Sequence, residues 1–203
     1  MSVVGPRDPR AVGLTPRRSL SDLLWIANTR HGPGGHWFAR VSVDIGDHDH
    51  LIGRSHAVKY LADHRVSLPS EEVGLRQLRS LTAIREMVRG LVDPAVDWTS
   101  DARAILDRAR FRVEADGRLV AVGSGWDAFI DDLMLPLVQI VEMRDRVRVC
   151  ANPNCRLMFL DLSRNRARIW CDNAGCGNRA RVRRYRSRAK VGKVAATEHP
   201  TGI

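Results

Sequence analysis

The chain has 203 residues, carries a formal net charge of +10 and is 44% hydrophobic. This apolar fraction is enough for a globular core in one or two domains, and no apolar run approaches the about 20 residues of a membrane-spanning helix. The first residues are rich in Pro, Gly and Arg and lack the apolar segment of a secretory signal, so we expect a cytoplasmic protein that makes no membrane contact.

The predicted folded part begins after residues 1–18, which we expect to form a disordered leader. Apolar residues at three- and four-residue spacing predict a mainly α-helical domain over residues 19–147. Its predicted helices span 19–30, 50–64, 71–92, 99–109 and 126–145. Ser19 or Ser21 is the expected N-cap of the first helix, and Ser70 is the expected N-cap of the third.

Two shorter patterns lie within this domain. Residues 111–122, with the sequence FRVEADGRLVAV, predict a small β-hairpin with Asp116-Gly117 at its turn. Residues 47–50, with the sequence DHDH, are metal-ligating types, but they directly precede a predicted helix and we interpret them as a solvated cap. The sequence shows no nucleophile elbow, phosphate-binding loop or paired catalytic carboxylates, so we expect no enzyme activity and name no catalytic residue.

Four cysteines, all within 27 positions, are the most specific pattern in the chain. They form two matched pairs, Cys150 with Cys155 and Cys171 with Cys176, in the spacing C-x4-C-x15-C-x4-C. Cysteines grouped in this way supply the four thiolate ligands of a tetrahedral structural zinc site. In a reducing compartment metal binding is favoured over disulfides. We therefore predict one structural Zn²⁺ held by these four residues.

The positive charge is concentrated around these cysteines. From Cys150 to Lys190 there are ten Arg and one Lys against two Asp, a net charge of +9. The rest of the chain holds 22 basic and 21 acidic residues and is nearly neutral. A basic segment beside a neutral domain is the electrostatic pattern of a protein that binds a polyanion.

The cysteine segment predicts a treble-clef-like module over residues 148–190, followed by a flexible tail over 191–203. We expect a strand at 157–161 to pair with residues 167–171, and a helix to begin at Cys176. On that helix one stripe is apolar and is expected to pack on Phe159 and Trp170. Its members are Val182, Tyr185 and Ala189. Metal binding should supply much of the folding free energy of so short a module.

The run from Cys150 to Arg188 resembles the CGNR zinc-finger family. The motif that names the family stands intact at residues 176–179, and its usual surroundings are present as Phe-Leu-Asp at 159–161, Ser-Arg-Asn at 163–165 and Trp-Cys at 170–171. The preceding domain resembles the ABATE domain through Asn-Thr at 28–29 and Ile-Arg-Glu at 84–86. The resemblance implies a bacterial, stress-linked transcription regulator.

We therefore expect the module to bind double-stranded DNA, with zinc holding the fold and arginines contacting phosphates and base edges. The expected DNA-contacting residues are Arg164, Arg166, Asn178, Arg179, Arg181, Arg183, Arg184, Arg186 and Arg188. Two roles remain open for Asn178 and Arg179, which either read bases or brace the zinc loop. Neither the DNA sequence recognised nor the sign of regulation follows from the sequence.

The remaining partners are less specified. The helical domain is expected to bind a small-molecule effector of unknown site, to form a homodimer, or both. One alternative function is a zinc-stabilised interaction module that docks on an acidic protein. RNA binding is another, but we expect Tyr185 to point inward, which disfavours stacking on single-stranded bases.

Overall fold

The computed structural model describes residues 15–16, 18–31, 48–92 and 104–197. Within these ranges the chain is mainly helical, as predicted, with small β-hairpins and a cluster of four cysteines near the C-terminal end. No helix in the described ranges is long and apolar enough to cross a membrane.

The first helix, α1 (Leu20–Ala27), begins where the sequence predicts it. The Ser19 hydroxyl accepts from the Asp22 N–H at 3.1 Å, and the Asp22 carboxylate accepts from the Ser19 N–H at 2.9 Å. This reciprocal capping box satisfies backbone donors that the helix start leaves free. The prediction of Ser19 as N-cap is confirmed, and the helix buries its apolar side in the main core.

The next two helices are α2 (Arg54–Asp63) and α3 (Leu75–Gly90). The predicted cap at Ser70 is wrong, because α3 begins after Gly74, which makes no side-chain cap bond. The indole N–H of Trp126 donates to the Glu71 carbonyl at 2.8 Å, and this contact ties the preceding segment to a later helix in a non-helical path. Tertiary packing thus overrides the local capping signal.

The short strands β2 (Arg30–His31) and β3 (His48–Asp49) pair with each other in antiparallel. A separate three-stranded sheet lies beside the helices, with β4 (Phe111–Val113) and β5 (Arg118–Ala121) forming the predicted hairpin. Gly117 adopts φ 80° at the turn, a conformation that glycine accepts without strain. The strand β1 (Thr15–Pro16) pairs in parallel with β5. The end of the predicted leader is therefore ordered, contrary to the prediction for residues 1–18. Residues 1–14 and 17 lie outside the described residues.

Arg18, also within the predicted leader, is buried. Its Nη1 donates to the Ser67 carbonyl at 2.5 Å, and its guanidinium lies 4.3 Å from the centroid of the Phe129 ring. These contacts anchor the N-terminal segment to the helical part of the fold.

The predicted helix at 126–145 is two helices, α4 (Gly125–Asp132) and α5 (Met134–Glu142), with a break at Leu133. Pro136 explains the break, because its ring would clash with the carbonyl of Asp132 in a continuous helix. The helix α1 packs against α3 and α5, and this contact forms the centre of the core. Of the predicted helix at 99–109, residues 104–106 are helical and 99–103 lie outside the described residues.

A second hairpin joins the cysteine module to this core. It pairs β6 (Val147–Val149) with β7 (Met158–Leu160). The predicted pairing of residues 157–161 with 167–171 is wrong, since β6 supplies the partner strand. The boundary expected at residue 147 falls within β6, and the buried side chains of Val147 and Met158 belong to the main core.

Asn28, at the end of α1, fixes this hairpin to the helical part. Its amide nitrogen donates to the Met158 carbonyl at 3.0 Å, and the Met158 N–H donates to its amide oxygen at 2.7 Å. The Tyr60 hydroxyl donates to the Asn28 carbonyl at 2.8 Å. Asn28 is 4% exposed, so these bonds are shielded from water.

The last helix, α6, spans Asn178–Thr197. It continues past the predicted end at residue 190, so residues 191–197 of the predicted tail are helical, contrary to expectation. Residues 198–203 lie outside the described residues.

The substitution Asn28→Ala should lower the free energy of unfolding by roughly 2–4 kcal/mol, because both backbone groups of Met158 lose their buried partner. Urea denaturation followed by tryptophan fluorescence measures this change. Ser21→Ala, at an exposed position of the same helix, is the control and should change stability by less than about 0.5 kcal/mol. Equal stabilities of the two variants would show that α1 does not hold the hairpin.

Candidate metal centre and the basic helix

The first cysteine pair lies on a tight loop after β6. The Cys150 N–H donates to the Leu157 carbonyl at 2.8 Å, and the Cys155 N–H donates to the Asn152 carbonyl at 2.8 Å. The Asn-Pro sequence at 152–153 favours such a turn. The two bonds bend the loop so that both sulfurs come to the same side.

The second pair lies on the segment that leads into the long helix. One turn of π-helix, Asn173–Gly177, precedes α6, and the Asp172 carboxylate caps it by accepting from the N–H groups of Ala174 and Gly175. Gly177 is buried, and a Cβ placed on it would lie 3.2 Å from Cδ1 of Trp170. A side chain at this position would therefore require the indole to shift by a few tenths of an ångström.

The four sulfurs converge on one point. All four Sγ atoms lie within 4.8 Å of one another. The Cys155–Cys171 distance is 3.6 Å and the Cys171–Cys176 distance is 3.8 Å. Tetrahedral Zn–S bonds of about 2.3 Å place sulfurs about 3.8 Å apart, whereas a disulfide requires about 2.05 Å. The residues therefore fit a single tetrahedral zinc ion, and none of them is disulfide-bonded.

The clustered thiols perturb one another's ionisation. Hydrogen bonds from the Cys155 and Cys171 thiols lower the pKa of Cys150 to about 2, and the bond to Cys150 raises the pKa of Cys155 to about 12. Hydrogen bonds with Cys150 and Cys155 raise the pKa of Cys171 as well. Without a cation, ionisation of one thiol therefore disfavours ionisation of its neighbours, and a divalent cation among the four sulfurs would stabilise all four as thiolates. The donor set thus matches zinc in ligand type as well as in geometry.

Cys176 receives two further donors from outside the ligand set. Nη2 of Arg179 donates to its sulfur at 3.1 Å, and the Asn152 amide nitrogen donates to it at 3.5 Å. Nη2 of Arg183 donates in turn to the Asn152 amide oxygen at 3.2 Å. The bond to Cys176 raises the pKa of Arg179. Of the two roles left open for Arg179, the geometry favours bracing the zinc loop.

The loop between the pairs is held by Asp161, which is fully buried. Its carboxylate accepts from the Ser163 N–H at 2.9 Å and from the Arg168 N–H at 3.0 Å. The bonds from Ser163 lower the pKa of Asp161. Arg168 donates to the carbonyls of Trp170 and Cys171. Asp161 and Arg168 therefore position the second half of the module.

The predicted DNA-contacting residues fall into two groups. In the first, the side chain has an intramolecular partner. Its members are Arg166 on Asp145, Arg179 on Cys176, Arg181 on the Asn173 carbonyl and Arg183 on Asn152.

In the second group, the side chain is exposed and makes no hydrogen bond or ion pair with another described residue. Its members are Arg164, Asn178, Arg184, Arg186 and Arg188. The sequence predicts that all nine residues are available to DNA, and the structure distinguishes those already engaged.

The predicted packing of the apolar stripe on Phe159 and Trp170 is wrong. Tyr185 is 75% exposed and Val182 is 39% exposed, and Ala189 is exposed as well. The helix turns a different side to the zinc loop, because Arg179 and Arg183 contact it. The expectation that Tyr185 points inward is therefore wrong, and Tyr185 no longer disfavours stacking on single-stranded bases.

Sequence reasoning missed two contributors, Asn152 and Asn28. Asn152 was recognisable as a turn residue, but its amide contact with a ligand sulfur depends on α6 approaching from beyond the second cysteine pair. Asn28 lies 130 positions from its partner Met158, and no local signal connects them.

The remaining candidate sites resolve as follows. The Asp49 carboxylate caps a 3-10 turn at His50–Ile52 and pairs with Arg85, which supports the interpretation of this run as a cap; Asp47 lies outside the described residues. A cavity of about 120 Å³ beside Phe129 is below the roughly 300 Å³ typical of ligand pockets. We assign no effector to it.

Residues 146–189 match the family model of the CGNR zinc finger. No match was found among curated proteins. The matched residues contain all four cysteines, so the family match and the sulfur geometry agree on a module that binds one zinc ion.

Metal analysis of the purified full chain should give about one zinc per chain, the content of one four-thiolate site. The double variant Cys171→Ser, Cys176→Ser should lose it, because two oxygens replace two thiolates. Elemental mass spectrometry after size exclusion measures the ratio. Full zinc content in the double variant, or a zinc-free wild-type chain with an intact fold, would contradict the assignment.

Arg179→Ala should weaken zinc affinity roughly 10- to 100-fold, because Cys176 loses a donor that orients it and offsets its charge. Competition with a chromogenic chelator measures the affinity. Arg186→Ala removes the same charge from the same helix at a position without a described partner, and it should retain wild-type affinity. If both variants lose zinc equally, the effect is due to net charge and not to the contact with Cys176.

Proposed function

We propose that the chain is a DNA-binding transcription regulator whose zinc module presents α6 to duplex DNA. The observation that carries this proposal is the group of exposed arginines on α6 that have no partner among the described residues. Holding such side chains close together is unfavourable unless an anion lies against them. The phosphate backbone of DNA supplies regularly spaced anions.

The charges of the module support a polyanionic partner. Its two carboxylates are both used internally, since Asp161 accepts from the loop that follows it and Asp172 caps the π-helical turn. Neither is available to neutralise α6. Four thiolates on Zn²⁺ leave a local charge of about −2, which Arg179 and Asn152 contact directly. The arginines farther along the helix therefore remain unneutralised.

The arginines divide by role under this proposal. Arg179 and Arg183 position the helix on the zinc loop. Arg184 and Arg188 contact phosphates, together with Arg164 on the loop before the second cysteine pair. Of the two roles left open for Arg179, this division assigns it the bracing role. Asn178 is exposed at the first residue of α6, so it remains available to a base or a phosphate.

The helical part would sense an effector, mediate dimerisation, or both. The contact between Asn28 and Met158 supports such coupling, because it joins α1 to β7, the strand between the two cysteine pairs. A change in the position of α1 would be transmitted to the hairpin through these two bonds. We propose no specific effector.

Arg184→Ala and Arg188→Ala should each weaken binding to all duplexes alike, and each should reduce the salt slope by about one unit, because each removes one phosphate contact. Fluorescence anisotropy with random-sequence duplexes at several salt concentrations measures both quantities. Arg79→Ala is the matched control, since it removes an exposed arginine from α3 and should leave affinity and slope unchanged.

Two outcomes would contradict the proposal. If the two variants bind duplexes like the wild-type chain while zinc content is intact, α6 is not the DNA surface. If the wild-type chain binds no duplex but binds an acidic protein surface through the same arginines, the module is a protein interaction domain.

A further inference from the structure

The helix α6 exposes an aromatic side chain in the middle of its charged surface. Tyr185 is 75% exposed, and its hydroxyl makes no hydrogen bond with the described residues. Val182, one turn before it, is 39% exposed, and Ala189, one turn after it, is also exposed. Together the three residues form one uncharged strip on a helix surface otherwise rich in arginine.

Of this line of residues, Tyr185 points away from the zinc loop, and Val182 and Ala189 point to the side of it. Arg179 and Arg183 contact the loop, and at about 100° per residue Tyr185 lies on the opposite side of the helix. The same spacing places arginines on both flanks of the line. Arg181, Arg184 and Arg188 lie on one flank, and Arg186 lies on the other. The outward surface of α6 therefore has an uncharged centre between two cationic edges.

We infer that this outward surface enters the major groove of duplex DNA, with Val182, Tyr185 and Ala189 facing base edges. The inference rests on the proposed function and adds to it the groove and the residues that read sequence. An α-helix of about 10–12 Å diameter fits the major groove, which is about 12 Å wide. Arginines on both flanks reach the phosphates on both sides of the groove, and the apolar centre meets thymine methyl groups.

Duplex DNA fits this surface better than the other partners do. A single-strand platform stacks successive bases on several aromatic rings, and Tyr185 is the one strongly exposed aromatic side chain among the described residues. An acidic protein surface would pair with the arginines of one flank and leave the opposite flank unused. A groove bounded by phosphates on two sides uses both flanks at once.

The test uses the zinc-loaded full chain and a pool of random duplexes, from which the wild-type chain selects its preferred sequence. Tyr185→Ala should bind the selected duplex roughly tenfold more weakly while its affinity for random duplexes and its salt slope stay unchanged. Tyr185→Phe keeps the ring and should keep the preference. Leu75→Ala, an exposed apolar residue on α3, is the control and should have no effect.

A second measurement reports base contact directly. Duplexes in which 5-iodouracil replaces thymine at each selected position should crosslink to Tyr185 on irradiation, because iodine occupies the position of the thymine methyl group. A crosslink at Tyr185 that is lost in Tyr185→Ala supports the inference.

Three outcomes overturn the inference, and they are distinguishable. If the wild-type chain binds no duplex, the proposed function fails with it. If the chain binds duplexes but Tyr185→Ala selects the same sequence with the same affinity and no crosslink forms at Tyr185, the proposed function stands and the reading surface lies elsewhere. If single-stranded oligonucleotides bind more tightly than duplexes and Tyr185→Ala removes only that binding, Tyr185 stacks on unpaired bases.

Discussion

The cluster of four thiolates is the constraint on which the rest of the C-terminal module depends. Sulfurs separated by 3.6 and 3.8 Å repel one another when ionised, so they require a divalent cation between them and hydrogen-bond donors around them. The chain supplies the donors from two sides, with Asn152 on the first cysteine loop and Arg179 on α6. Both converge on Cys176. The direction in which α6 leaves the module is therefore set at the metal centre.

The metal centre is connected to the helical part by a strand and not by a linker. The hairpin of β6 and β7 contributes Val147 and Met158 to the main core, and Asn28 closes the joint through two buried hydrogen bonds. A strand of three residues has little stability alone. The hairpin gains order from α1 on one side and from the Cys150–Leu157 backbone bond on the other. A shift of α1 and a loss of metal at the cysteine loop would therefore both disturb the same short hairpin.

The parts of this arrangement that sequence predicts are those determined by local chemistry. Cysteine spacing indicates the zinc ligands, Asp116-Gly117 indicates a hairpin turn, and Ser19 indicates a helix start, because each depends on neighbours within a few residues. Contacts between distant segments were not predictable. Residues 167–171 are the predicted partner of β7, but β6 pairs with it, because short runs of similar strand propensity do not specify which of them pair. The predicted cap at Ser70 is wrong because Trp126, far along the chain, binds the carbonyl of Glu71, the residue after Ser70, and holds it in a non-helical path.

The arginines show most clearly why periodicity alone does not assign roles. A helical stripe predicts which residues share a side, but it does not say which side meets the zinc loop. The structure answers this through Arg179 and Arg183, whose bonds to Cys176 and Asn152 turn their side of the helix toward the zinc loop. The remaining arginines are then displayed in a fixed direction around Tyr185. Loss of zinc would leave the positive charge of α6 unchanged, because the arginines of the helix are not metal ligands. It would remove the contacts that orient the helix, so general attraction to a polyanion and recognition of a particular surface depend on different residues of the same element.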